Sequence, residues 1–418
     1  SQIIWYNGEV GGFGTTPVTT GEPGVDVHWL ECKFDSTVVP TGPCSEFNGS
    51  IGDEVWSTNS VVVVGNVYEY PANSQLYYLA HSTDPNGLVT TAPDEAQAYE
   101  FWTRDCSCEE IWTDAGMPVW DATIDYDSGM VFGSGTSGVE KFREAIYKLD
   151  NNKVKRLGST VVVQTMTSGI SAYLGGILGL GNQVTTNSSA CITGTEALLM
   201  GYERVQSGKA SRMLVGSCSD DGAYIWGGFD AMRVMTYKHN DTPEKGSKPM
   251  SAEASGFVPG SGAGALVLES LESAINRKAT IYAEVLGGNI NSGGQRNGGT
   301  MTAPNSEAVQ KCIMDALKDA NIKGTEIDAI NGHLTATVKD STEIESWTKA
   351  LGREGKDFPV INSLKSMVGH CLAASASIEN VATVLQLKHQ FVFPNLNCEV
   401  IHPEILKLIS KEKIPTKR

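Results

Sequence analysis

The chain has 418 residues, 40% apolar and 19% charged, with 45 glycines. That composition fits two or three domains or one large α/β body, and it excludes collagen, coiled coil and disorder. Lysine and arginine total 32 against 48 aspartates and glutamates, a net charge of −16, which argues against a protein that wraps nucleic acid or adheres to anionic membrane.

Residues 1–120 hold two basic side chains, Lys33 and Arg104, and six of the eight tryptophans, so the chain changes character near residue 120. Short β-type runs predict strands at 61–64 and 75–80, and helical periodicity begins at 94–114. From 116 onward the pattern is regular. A strand leads into the glycine-rich turn of 129–138, followed by a helix over 139–149. A strand at 183–186 runs through Ser188-Ser-Ala-Cys191 into a helix at about 192–207. Strands follow at 211–217, 264–268 and 281–286. The apolar positions Val309, Cys312, Ile313, Ala316, Leu317 and Ala320 recur with helical spacing and predict a helix over 306–320, capped by Asn305 or Ser306. Strands at 327–330 and 359–362 and a helix over 371–388 complete the series. Strands alternating with helices predict an α/β protein with mostly parallel central strands. A buried strand delivers a reactive residue to a helix start at Cys191 and again near His370, which suggests an internal duplication.

No apolar run approaches the roughly 18 residues that cross a bilayer, and no basic start followed by an apolar stretch marks a signal peptide. The nine cysteines are odd in number and scattered, so they do not form a disulfide framework. Cys106-Ser-Cys108 has the wrong gap for a zinc knuckle, and no second pair stands at ligand spacing. Reduced cysteines in a cytoplasmic protein, with no metal, are expected.

Cys191 lies between a strand and a helix. The partial positive charge and free N–H groups of a helix N-terminus favour thiolate, the form a nucleophile needs. His333 follows a strand in Asn331-Gly-His-Leu-Thr-Ala-Thr337. Lys365 and His370 follow another in Asn362-Ser-Leu-Lys-Ser-Met-Val-Gly-His370. Any one of these is most often structural. Four reactive residues at the ends of consecutive strands point to the crevice where open α/β sheets bind ligands.

At these residues the sequence resembles the β-ketoacyl-acyl-carrier-protein synthases, the elongating condensing enzymes of the thiolase superfamily. The motifs stand in order: Cys191-Ile-Thr-Gly194, then Asn331 to Thr337, then Lys365 to His370. The connecting text is similar too, as in Phe229-Asp-Ala-Met-Arg-Val-Met-Thr236 and Gly256-Phe-Val-Pro-Gly-Ser-Gly-Ala-Gly264. The resemblance covers about residues 115–405; residues 1–115 match poorly. It implies a thiolase-like fold of two βαβαβ-type halves, 1–270 carrying Cys191 and 271–418 carrying both histidines and Lys365, in a layered α-β-α-β-α arrangement. Several positions depart from the family. Leu334 replaces a glycine and is expected to narrow the pantetheine channel or tilt His333. Val338 stands where proline is common, and Ala373 and Ala376 replace glycines. Arg418 precedes the Gly-Phe-Gly-Gly loop that the family carries near its C-terminus, and Gly11-Gly-Phe-Gly14 is a similar string far from that place.

The resemblance further implies that Cys191 takes an acyl group from a carrier-protein thioester. His333 and His370 would donate hydrogen bonds to thioester oxygens while malonyl loses CO₂, and the backbone N–H of Cys191 would add an oxyanion donor. Lys365 would organise His333 and pair with Glu379 or Glu343. Thr335 and Thr337 would hold the pantetheine arm. No metal or redox cofactor is implied; the substrates ride on the phosphopantetheine of an acyl carrier protein. Arg204, Lys209 and Arg212 form a basic patch able to dock such an acidic carrier, and a homodimer is expected. A thiolase would need a second catalytic cysteine, and an initiating synthase would replace His370 by Asn. Two alternatives stand: a non-catalytic chain-length subunit, and a polyketide or polyene ketosynthase.

Overall fold

The computed structural model describes residues 123–300 and 303–416, and before them the backbone of five short strands. The chain divides into two compact units: residues 7–122 with 177–179, and the remainder. Strand β1 (Ile3–Tyr6) belongs to the larger unit. The smaller unit holds a sheet of β2 (Ile51–Val55), β3 (Val67–Glu69), β4 (Tyr77–Ala80) and β5 (Trp102–Thr103), in that order. The strand expected at 61–64 and most of the periodic stretch at 94–114 lie outside the described residues.

In the larger unit, β6 (Ser128–Ser134) is buried at every position and leads to helix α1 (Val139–Asp150). Helix α2 (Gly169–Ile177), strand β7 (Val184–Thr185) and helix α3 (Thr193–Gln206) follow, then β8 (Arg212–Ser219), α4 (Ala223–Ala231), β9 (Gly262–Ser270) and β10 (Ala283–Val285). Six strands form one sheet in the order β10-β1-β9-β8-β6-β7. Its β7–β6–β8 side is parallel, whereas β9 runs antiparallel to both β8 and β1, and β1 to β10. The sheet is therefore mixed rather than mostly parallel. The apolar faces of α3 and the sheet close one core around Val131, Leu198, Tyr202, Met213, Val215 and Leu268, burial that is the main favourable term in folding.

Helix α5 (Ser306–Asp319) matches its periodicity to within one residue, and the Ala308 N–H donates to Asn305 Oδ1 at 3.3 Å, identifying Asn305 as the cap. Beyond it, β11 (Ala329–Asn331) pairs in parallel with β12 (Val360–Asn362) around helix α6 (Asp340–Leu351). A second core gathers Met250, Leu334, Ile344, Trp347, Phe358 and Ile361. Helix α7 (Ser375–His389) is preceded by a single 3-10 turn, Leu372–Ala374, where the sequence suggested continuous helix from 371. Among the described residues no helix is long and apolar enough to cross a membrane.

Candidate active site

Cys191 occupies a 3-10 turn, Ala190–Ile192, that runs directly into α3. The turn is sharp: Ala190 has φ +50°, a left-handed conformation that costs about 1–2 kcal/mol for a residue with a Cβ. Side chains from both ends hold it. Thr193 Oγ1 accepts from the Ser189 N–H at 2.9 Å and donates to the Ala190 carbonyl at 2.6 Å. Asn187 donates to Glu196 at 2.8 Å and to the Thr193 carbonyl at 2.9 Å, and the Ser189 hydroxyl also donates to Glu196. The residues between β7 and α3 thus fix where the sulfur points.

His370 is held by the strand-like segment before β9. Its N–H donates to the Val258 carbonyl at 2.7 Å, and its carbonyl accepts from the Gly260 N–H at 2.9 Å. Gly369 has φ +70°, and a Cβ there would lie 2.8 Å from the Val258 carbonyl oxygen, so this approach requires glycine. The Phe257 ring meets the His370 ring edge-on, with centroids 4.9 Å apart. On the imidazole, Nδ1 accepts from the Leu372 backbone N–H at 3.1 Å. An amide only donates, so the ring proton sits on Nε2.

Lys365 is 2% exposed, and its ammonium forms an ion pair with Glu379 of α7. The expected pairing with Glu379 is therefore present. Glu343 does a different task. Its two carboxylate oxygens accept from the backbone N–H groups of His333 at 2.8 Å and Leu334 at 3.0 Å. One α-helical turn earlier, Asp340 accepts from Thr335 at 3.0 Å, Thr337 at 3.3 Å and Met250 at 2.8 Å. Two acids at the start of α6 thus tie down the whole His333–Thr337 loop, at a helix end that favours negative charge.

The Leu334 side chain, expected to narrow the pantetheine channel or tilt His333, packs into the core. It is fully buried in the second core beside Gly332 and Trp347. The family's glycine position keeps an unusual backbone, φ +21°, while the side chain fills core volume. Thr335 and Thr337 lie side by side, their hydroxyl oxygens 3.3 Å apart.

These separate segments converge. The sulfur of Cys191 and a ring nitrogen each of His333 and His370 all lie within 4.8 Å of one another, and the two rings are nearly perpendicular with centroids 5.4 Å apart. His333 is solvent-exposed as a residue, although many atoms surround its ring. Burial, then the Lys365 cation, then His370 hold His333 well below the usual histidine range. Burial and Lys365 push His370 down to about 3. Both rings are neutral at pH 7. Burial raises the Cys191 thiol, and Lys365 only partly opposes it. The thiolate expected from the helix start is thus offset by the cost of burying charge. A metal fits this cluster poorly: ligation through His370 Nε2 would require Nδ1–H, which would face the Leu372 N–H.

Arg212 is engaged in a local ion-pair and hydrogen-bond network. It donates to Asp125 at 2.9 Å and to Ser128 at 2.9 Å, with buried Glu269 4.0 Å away. Arg204 donates to Asn182 at 2.8 Å, and Lys209 is exposed. The sequence reading passed over Ser375, whose hydroxyl lies 2.9 Å from His370 Nδ1, and the loop-holding tasks of Glu343 and Asp340.

Comparison with known proteins adds a third line. Residues 86–274 match the β-ketoacyl synthase N-terminal domain and residues 282–399 the β-ketoacyl synthase C-terminal domain. The chain is 33% identical over 309 residues to 3-oxoacyl-[acyl-carrier-protein] synthase 1 of Haemophilus influenzae, covering 73% of this chain and 72% of that protein. It is 32% identical over 325 residues to the synthase 1 of Escherichia coli, covering 76% of each. A β-ketoacyl synthase structure from Burkholderia phymatum superposes with a TM-score of 0.67 at 30% identity, over 74% of this chain and 73% of that one. A type II polyketide ketosynthase, solved with its acyl-carrier protein and bound to a hexaketide, gives 0.66 at 27% identity over 74% of each chain.

Proposed function

On the footing that this chain belongs to the β-ketoacyl synthase family, of thiolase-like fold, we propose that Cys191, His333 and His370 carry the condensation of an acyl group with a malonyl thioester. The protein is a condensing enzyme, an acyltransferase. The observation that carries the residue assignment is the meeting of one sulfur and two neutral imidazoles within 4.8 Å.

In the first step the Cys191 sulfur attacks an acyl thioester. A C–S bond forms to Cys191, the bond to the pantetheine sulfur breaks, and the thiol proton leaves on that sulfur. His370 is a poor base, because its Nδ1 lone pair is engaged and burial beside Lys365 opposes a second positive charge. In the second step the malonyl thioester loses CO₂ and its carbonyl oxygen becomes an enolate. Neutral N–H groups of His333 and His370 donate to that oxygen as charge develops, already aimed at it before the step begins. The enolate carbon then attacks the acyl carbonyl, a C–C bond forms, and Cys191 departs as thiolate. Thr335 and Thr337 hold the pantetheine arm. Burial, helped by the Lys365 cation, keeps both rings neutral. CO₂ loss supplies the driving force, so the reaction needs no metal or redox cofactor.

The partner that delivers both thioesters is an acyl carrier protein, as in the ketosynthase complex above. Lys153, Lys155 and Arg156 are exposed and clustered after α1, a better docking surface for an acidic carrier than Arg204, Lys209 and Arg212. A cytoplasmic location is inferred as well, and a homodimer: among the described residues β7 is an edge strand of the large sheet, where a second copy could pair. The curated relatives are named 3-oxoacyl-[acyl-carrier-protein] synthases, and fatty-acid elongation is the pathway inferred from that; a polyketide chain is the alternative favoured by the hexaketide-bound neighbour. Supplying acyl and malonyl thioesters of a carrier protein tests the reading. CO₂ and a 3-ketoacyl product should appear with the wild type and vanish with Cys191→Ala; a chain-length subunit without its own catalysis would give neither.

A further inference from the structure

Ser375 opens α7 five residues after His370, and both side chains are buried, 3% exposed. Its hydroxyl oxygen lies 2.9 Å from His370 Nδ1. The Leu372 N–H already requires Nδ1 to offer its lone pair, so the Ser375 hydroxyl is the donor in this contact. In the opposite tautomer the Nδ1–H would face the Leu372 amide, which would be left buried and unpaired. The backbone is bent to make this arrangement: Leu372 has φ +50°, a conformation that bulky residues rarely take.

We propose that Ser375 is a positioning residue for condensation: by donating to Nδ1 beside the Leu372 amide, which sets the Nε2–H tautomer, it holds the His370 ring and strengthens its Nε2–H as the donor to the developing enolate. The inference rests on the role given to His370 above. Donation into Nδ1 draws electron density from the ring, so the opposite N–H becomes a better donor, the cooperative effect of linked hydrogen bonds. That matters in the step where negative charge grows on oxygen. It does not matter for attack by Cys191, which needs no proton from His370. A small polar residue at a helix start has no distinctive signature in the sequence; only the folded chain shows what the hydroxyl meets.

Ser375→Ala removes one buried oxygen and installs a good helix former, so it preserves the fold. The full-length protein, labelled with ¹⁵N-histidine and assigned with His370→Ala, is the sample. In Ser375→Ala the His370 Nδ1 resonance moves toward that of a free imine nitrogen. CO₂ release from a malonyl thioester falls about three- to tenfold, the size expected for one lost hydrogen bond. KM and the rate of Cys191 alkylation by iodoacetamide stay unchanged, and Ser375→Thr restores both resonance and rate. A wild-type resonance or a wild-type rate in Ser375→Ala overturns the proposal. A wild-type protein that releases no CO₂ instead contradicts the functional reading, and the positioning role falls with it.

Discussion

Gly194 and Ser377 approach so closely that a methyl group on the glycine would lie 2.2 Å from the serine hydroxyl oxygen and 2.3 Å from its backbone nitrogen. The glycine belongs to the helix that follows Cys191, the serine to the helix that follows His370. Their contact seats the nucleophile beside the imidazoles. Ser217 completes the junction, its hydroxyl oxygen 2.7 Å from that of Ser377, while it also donates to the Ala373 carbonyl at 2.7 Å.

Gly194→Ala should force these helices apart. Overpacking of this kind costs about 1–3 kcal/mol. Denaturant unfolding should show that loss, and condensation should fall further than stability does, because the sulfur moves away from both rings.

The Lys365–Glu379 pair is buried, so its two members depend on each other. Lys365→Met or Glu379→Leu alone strands one charge and should cost about 3–5 kcal/mol. The double variant should be more stable than either single, as unfolding midpoints would show. Its activity should stay low, because without the Lys365 cation His333 and His370 take up protons more readily.

The pH dependence should come from Glu343 rather than from the histidines. Burial, then Asp340, raises Glu343 to about 7, while His370 sits at about 3. As pH falls through 7, Glu343 gains a proton and one oxygen no longer accepts from the His333–Leu334 backbone. The rate of CO₂ release should therefore fall on the acid side of about 7. Glu343→Gln should abolish that limb at a uniformly lower rate. The stability term has the opposite sign: between the ordinary carboxylate range and about 7 the folded chain binds more protons than the unfolded one, so this group subtracts stability as pH rises through that window.

Leu334 separates backbone need from side-chain need. Leu334→Gly would relieve about 1 kcal/mol of left-handed strain but empty a fully buried site, a loss of about 2–5 kcal/mol. The variant should be less stable than the wild type, while the folded fraction keeps its KM for the pantetheine substrate. A lower KM would return Leu334 to the channel.

Much of this site was legible because its chemistry is carried by local strings. Cys191, His333, Lys365 and His370 each follow a strand end, and apolar periodicity locates those strands. The partners were harder to read. Arg212 finds Asp125 87 residues away, so a basic string on paper becomes a structural ion pair. Glu343 and Glu379 are alike as letters; only the loop geometry sends one to backbone amides and the other to Lys365. The thiolate expected at Cys191 followed from helix polarity alone, whereas burial, a property of the assembled fold, decides the direction. The antiparallel half of the large sheet escaped for the same reason, since strand direction depends on how the long connection to β9 returns.

Docking can be tested by charge reversal. Lys153→Glu with Arg156→Glu should raise KM for carrier-bound thioesters and weaken its salt dependence, while KM for free pantetheine thioesters stays put. Reversal at Lys209 should change neither.

The most direct test of the central assignment is peptide mass spectrometry after exposure to an acyl-carrier thioester. An acyl adduct should appear on the peptide holding Cys191 and disappear when the malonyl thioester is added, with one 3-ketoacyl product per adduct lost. An adduct on Cys312 or Cys371 instead, or an adduct on Cys191 that malonyl never clears, would contradict the account.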